Sequence, residues 1–98
     1  CHDALKEELN EFYNQKLENL IAYDNKKETN LIETLDMYFE ENGNLKKMSE
    51  KLYTHYNTIL YRMKRIQEIL GVDIKNRKVR YNLETALEIY KILKKNNN

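Results

Sequence analysis

Residues 54–66 read Thr54-His55-Tyr56-Asn57-Thr58-Ile59-Leu60-Tyr61-Arg62-Met63-Lys64-Arg65-Ile66. Ile59, Met63 and Ile66 recur at helical spacing, so one side of this helix belongs in a core. The residues between them are polar, aromatic and basic. At about 100° per residue, with Ile59 as zero, Met63, Ile66 and Leu70 fall within about 40° of it. Asn57, Thr58, Tyr61, Lys64 and Arg65 fall between about 140° and 260°, on the opposite side. Such a helix has one face for packing and one for a partner.

The only two glycines, Gly43 and Gly71, bracket this stretch. Gly43 can take a left-handed helix-ending conformation, and Asn44 is a suitable cap for a new helix. The spacing predicts a short helix from Leu45 to Leu52, a turn at Tyr53-Thr54-His55, and a longer helix ending at Leu70-Gly71. A short helix joined to a longer one by a tight turn is the helix-turn-helix arrangement. In it the second helix enters the major groove of DNA. The outward residues have the chemistry for that groove. Arg and Lys suit guanine or phosphate, Asn suits adenine, and Thr suits either. The turn has no glycine, so a left-handed residue there would cost roughly 1–2 kcal/mol.

The rest of the chain reads as helix too. There is no proline, and helix formers dominate. The fold class is all-α: one small domain of about five helices. A first helix is predicted over residues 3–23, with Leu5, Leu9, Phe12, Leu17 and Leu20 on one stripe, broken by Asp24-Asn25-Lys26-Lys27. Asn30 with Glu33 resembles a capping box for a second helix, with Ile32, Leu35 and Phe39 inward. Val72 and Ile74 tuck a connector into the core. A last helix runs through Val79, Leu83, Ala86, Leu87, Tyr90 and Leu93 to an Asn-Asn-Asn end that should fray. Residues 1–27 are read as an N-terminal helix and linker. Residues 28–98 are read as the helix-turn-helix domain, with the two-helix unit at 45–70.

The net charge of +1 hides an asymmetry. Residues 1–42 carry four lysines against eleven acids, −7; residues 43–98 carry thirteen basic residues against five acids, +8. A basic half points to a polyanion as partner. Compositional drift is the plain alternative, since Lys and Asn are both abundant. The four arginines at 62, 65, 77 and 80 fit that alternative less well, being confined to one stretch. No apolar run approaches the roughly 20 residues of a membrane helix, so no membrane is expected. One cysteine forms no internal disulfide and fits a cytosolic, hence cytoplasmic, origin. His2 and His55 make no metal spacing with Cys1. There is no H-E-x-x-H and no phosphate-cradling glycine loop. The sequence therefore predicts no enzyme, no metal and no cofactor. A chain starting at Cys1 is expected to be a piece of a longer protein.

Gly43-Asn44-Leu45, Leu52-Tyr53, His55, Asn57-Thr58, Tyr61-Arg62, Arg65-Ile66 and Leu70-Gly71 together resemble the C-terminal helix-turn-helix of the PucR/CdaR group of bacterial regulators. Thr34-Leu35 with Tyr38 is similar to the segment before it, and Leu17-Glu18-Asn19-Leu20 with Tyr23-Asp24 to its lead-in. Asn82-Leu83 and Ala86-Leu87 are similar to its closing segment. The likeness covers about residues 17–90, and its H-x-N-T-x-x-Y-R core is fairly specific. A fainter likeness to the Fis-type helix-turn-helix points the same way. The resemblance implies a DNA-binding output domain of a transcription regulator, with sensory domains upstream in the same longer chain. Two departures stand out. Ser49 replaces the usual Ala, and Tyr56 replaces a common Arg or Pro at the first contact of the recognition helix.

The candidate DNA-binding residues are Lys46, Lys47, Thr54, His55, Tyr56, Asn57, Thr58, Tyr61, Arg62, Lys64 and Arg65. His55 can meet a phosphate, cap the helix or fill the turn; Thr54 is chemically the better cap. Arg62, at about −60°, flanks the core stripe, where an internal salt bridge and a phosphate contact are equally open. Lys46 and Lys47 are backbone anchors or solvated surface. Lys75, Arg77, Lys78 and Arg80 reach flanking phosphates or keep the connector soluble. The expected partner is double-stranded DNA, with residues 56–66 in the major groove. Paired half-sites make a homodimer a further expectation. The competing reading is a helical protein-interaction module that docks a charged partner. An RNA binder fits less well, since neither a G-x-x-G loop nor an aromatic sheet platform is present.

Overall fold

The computed structural model describes residues 2–96. They form α1 (His2–Lys27), α2 (Leu31–Glu40), α3 (Leu45–Lys51), α4 (Tyr56–Leu70) and α5 (Arg77–Asn96), with no strand among the described residues. The all-α expectation holds. Of the tail expected to fray, Asn96 is helical, and Asn97 and Asn98 lie outside the described residues.

One apolar cluster joins all five helices. It holds Leu17 and Leu20 of α1, Leu31 and Leu35 of α2, Met48 of α3, Ile59, Met63 and Ile66 of α4, and Leu83, Ala86 and Leu87 of α5. Ile74 enters it from the connector, as its apolar side chain predicts. α1 packs mainly along α5, while α4 is held by α1, α2 and α3 together. α4 therefore has one side fixed by three neighbours and the other left open.

The first helix differs from its expected limits. α1 does not break at Asp24 but continues to Lys27, and the chain turns at Glu28, whose φ is 54°. Asp24-Asn25-Lys26-Lys27 holds neither Pro nor Gly, so nothing in it stops a helix. Asp24 thereby serves a different purpose. Its carboxylate accepts hydrogen bonds from Thr29 Oγ1 at 2.6 Å, Leu31 N at 2.8 Å and Ile32 N at 2.9 Å. The capping box expected of Asn30 and Glu33 does not form, because Asn30 makes no side-chain cap bond. A carboxylate from the preceding helix satisfies the free N–H groups of α2 instead, where the helix dipole also favours negative charge.

Leu17 and Leu20 are fully buried as expected, whereas Leu5 is 56% exposed. Residues 3–8 of α1 are all exposed. In α2 the inward residues are Leu31, Thr34 and Leu35, with Ile32 and Phe39 only half-buried. The buried Thr34 hydroxyl donates to the Asn30 carbonyl at 2.8 Å, so no polar atom is stranded.

After α2 the chain takes two left-handed residues in succession, Asn42 and Gly43. After α4 it takes one, Gly71, whose φ is 65°. Both glycines thus end helices as expected. In the connector, Ile74 N donates to Gln67 Oε1 at 2.9 Å, and Gln67 Nε2 donates to the Met63 carbonyl at 3.2 Å. Asn76 Oδ1 then accepts from Lys78 N and Val79 N and caps α5.

Candidate nucleic-acid interface

The two-helix unit forms, with α3 ending at Lys51, one residue before its expected end, and α4 ending at Leu70 as expected. Asn44 Oδ1 accepts from Lys47 N at 3.0 Å and starts α3. Met48 is the fully buried residue of that helix. Ser49 is half-buried, and its hydroxyl donates to the Lys46 carbonyl at 2.7 Å. Tyr53 turns the chain with φ of 52° and is 97% exposed. The turn therefore does carry a left-handed residue without glycine, and no packing of the ring offsets the strain.

The cap of α4 is His55, not Thr54. His55 Nδ1 accepts from Asn57 N at 3.2 Å. The Thr54 hydroxyl donates back to the Leu52 carbonyl at 2.9 Å, which spends its one proton inside the turn. A ring nitrogen that accepts carries no proton, so a neutral His55 has its N–H at Nε2. Its side chain is exposed, and that N–H is a donor directed away from the cap.

Along α4 the two faces separate as the helical angles require. Ile59, Met63 and Ile66 are buried; Asn57, Tyr61 and Lys64 are exposed, and Tyr61 is 63% so. Thr58 is half-buried beside them, and Tyr56 is exposed at the first turn. The side chains of Asn57, Tyr61, Arg62 and Lys64 make no hydrogen bond or ion pair with any described residue. Of the two readings left open for Arg62, no salt bridge forms among the described residues. Arg62 instead lines a pocket of about 260 Å³ with Thr58, Tyr61 and Arg65 on one side and Tyr23 and Thr29 on the other. Lys46 and Lys47 are exposed at the start of α3 and likewise free of ion pairs. Arg80 is not free: it pairs with Glu84 at 2.9 Å and donates to Asn42 at 3.3 Å.

Arg65 behaves differently from its neighbours on the outward stripe. Its guanidinium lies 5.0 Å from the centre of the Tyr23 ring. Nε donates to the Tyr23 hydroxyl at 3.4 Å, and Nη1 donates to Glu68 at 3.4 Å. The hydrogen bond to Tyr23, more than the charge of Glu68, raises the guanidinium pKa above its usual value.

Sequence reasoning passed over Leu60. It is 43% exposed beside Tyr61 and Lys64 and faces a groove of about 640 Å³ between α4 and the Tyr38–Leu45 region. Its signal was present: at about 100° on the helix it lies off the core stripe.

The exposed α4 face, set on a helix-turn-helix, meets a matching family description. The model of the PucR C-terminal helix-turn-helix domain matches residues 31–89. The chain belongs to this family. As a PucR-type domain it is similar to three regulators of Bacillus subtilis strain 168. It is 31% identical over 87 residues to the purine catabolism regulatory protein, covering 89% of this chain and 16% of that protein. It is 41% identical over 64 residues to the DNA-binding transcriptional activator AdeR, covering 65% of this chain and 15% of AdeR. It is 35% identical over 86 residues to the proline-responsive transcriptional activator PutR, covering 88% of this chain and 21% of PutR. The PucR-type domain thus spans between 15% and 21% of the length of these relatives. No solved structure matches the chain significantly. No helix among the described residues is long and apolar enough to cross a membrane.

Proposed function

We propose that this PucR-type domain is the sequence-specific DNA-binding output of a bacterial transcription regulator, with residues 56–66 in the major groove. The observation that carries the reading is the unpaired set Asn57, Tyr61 and Lys64 on the open side of a helix whose other side is core. Placed on the second helix of a helix-turn-helix, these free donors and this cation have the chemistry that reads base edges and phosphates. The regulatory names of the relatives support the same reading.

Asn57 and Lys64 face base edges, Tyr61 and Thr58 a base or phosphate, and Leu60 a thymine methyl. Tyr56, the His55 Nε2 proton and Arg62 meet the sugar-phosphate backbone beside α4. Lys46 and Lys47 anchor the opposite strand through the start of α3. Arg65 approaches from the Tyr23 side. Thr54 holds the turn rather than DNA. The activity is binding and involves no reaction. It places the protein in the bacterial cytoplasm, where the chromosome is. Sensory domains precede this one in the same chain, and two copies read paired half-sites.

The test is a gel-shift titration of DNA from upstream of the gene across a range of salt. If about five phosphates are neutralised, log K against log salt should fall with a slope near −4 to −5. An affinity that stays flat with salt would overturn the reading in favour of a protein partner.

A further inference from the structure

Arg65 occupies the DNA-facing stripe of α4, yet its anchor is on α1. The two helices meet where Tyr23 stands one turn before the end of α1, next to Asp24. Two separate contacts join Tyr23 to Arg65: the ring lies under the guanidinium at 5.0 Å, and the hydroxyl accepts from Nε at 3.4 Å. Glu68, a turn along α4, takes one N–H of Nη1 at 3.4 Å. A guanidinium has five N–H donors. Two are used here, and the three that remain are on the terminal nitrogens. Both N–H groups of Nη2 and one of Nη1 are thus left for guanine or phosphate while the base of the guanidinium is fixed.

A free arginine would lose rotamer freedom on binding, which weakens the complex. The Tyr23 contact takes up much of that loss when the domain folds. Tyr23 in turn is held firmly, because Leu20 below it is in the core and Asp24 above it caps α2.

We infer that Tyr23 is a positioning residue for DNA sequence selectivity: it presents the Arg65 guanidinium to the duplex although it belongs to α1, outside the helix-turn-helix unit. The inference rests on the proposed DNA-binding function. The hydroxyl and the ring both contribute, and both act through Arg65 alone. The contact makes α1 part of the reading apparatus.

The experiment is a double-mutant cycle of Tyr23→Leu and Arg65→Ala, with Tyr23→Phe alongside. The probes are a duplex selected from a random pool by the parent protein and a shuffled duplex of the same composition. The readout is the ratio of the two affinities, with a thermal melt of each variant. Tyr23→Leu should lower the ratio about 3- to 10-fold, and Tyr23→Phe, which keeps the ring, about 2- to 3-fold. In the Arg65→Ala background neither change should lower it further. If Tyr23→Leu melts below the assay temperature, Tyr23→Phe carries the cycle in its place. Equal losses on both duplexes would overturn the inference, as would a full effect without Arg65 or parental selectivity in Tyr23→Phe. A parent that selects no duplex overturns the DNA-binding reading together with this inference. A selective parent with insensitive Tyr23 variants overturns this inference alone.

Discussion

Tyr53 stores strain at a place where a side chain gains nothing from packing. Its φ is 52° and its ring is almost fully in solvent. A left-handed L-residue costs roughly 1–2 kcal/mol, of which glycine's greater freedom in the unfolded chain takes back roughly 0.5–1 kcal/mol. Tyr53→Gly should therefore stabilise the domain by up to about 1.5 kcal/mol, read as a higher midpoint in urea at unchanged slope. A lower midpoint would mean that the exposed ring holds the turn. Asp24 is the opposite case, a side chain with three hydrogen bonds. Asp24→Ala should destabilise by about 2–3 kcal/mol, because two α2 N–H groups and a threonine hydroxyl lose a charged acceptor. A change under about 0.5 kcal/mol would mean that water replaces the carboxylate at no cost. At Ser49, which stands where the resembling family usually has Ala, the hydroxyl donates to the Lys46 carbonyl. Side-chain caps are poorly legible: Asp24 and Asn30 are equally capable by type, and at α4 the chemically better cap, Thr54, gives way to His55. Only the three-dimensional approach of the donors chooses between them.

At the scale of the element, α3 and α4 were legible because each carries its own punctuation. Gly43, Asn44 and Gly71 mark three boundaries, and the spacing of Ile59, Met63 and Ile66 marks the buried face of α4. The α1 boundary was not legible, because Asp24 to Lys27 are polar without being helix breakers. The two glycines also differ in what they would tolerate. At Gly71 nothing lies within 4 Å of an added Cβ, so Gly71→Ala costs only the left-handed strain, about 1 kcal/mol. At Gly43 the added carbon would stand 3.2 Å from the Tyr38 hydroxyl, so crowding adds to strain. Gly43→Ala should therefore melt several degrees below Gly71→Ala in the same buffer. Equal melting of the two would show that Tyr38 moves aside freely. The outward face of α4 was legible from angles alone for Asn57, Tyr61 and Lys64. The contact of Arg65 with Tyr23 was not, since nothing local announces a tyrosine forty-two residues away.

Across the whole molecule, α5 is tied to α2 by Lys91, which pairs with Asp36 at 3.0 Å and with Glu88 at 3.1 Å on its own helix. Burial pushes the Lys91 ammonium down, but the hydrogen bonds to Asp36 and Glu88 outweigh it and leave the pKa raised. A raised lysine stabilises the fold fully below its unfolded value of about 10.4 and loses that contribution as pH rises through the folded value. The melting difference between the parent and Lys91→Met should therefore shrink as pH is taken from 9 to above 11. A difference constant across that range would assign the effect of Lys91 to its aliphatic stem. The charge asymmetry also follows the architecture: the acidic first half includes all of α1 and α2, and the basic second half includes α3 and α4. The central claim is that the open face of α4 lies in the major groove, and dimethyl sulfate footprinting of the selected duplex tests it most directly. Guanine N7 lies in the major groove and adenine N3 in the minor. The account predicts protection of guanine N7 within the site, weakened when Lys64 is changed to Ala. Protection confined to adenine N3, with guanine N7 fully reactive throughout the site, would contradict it.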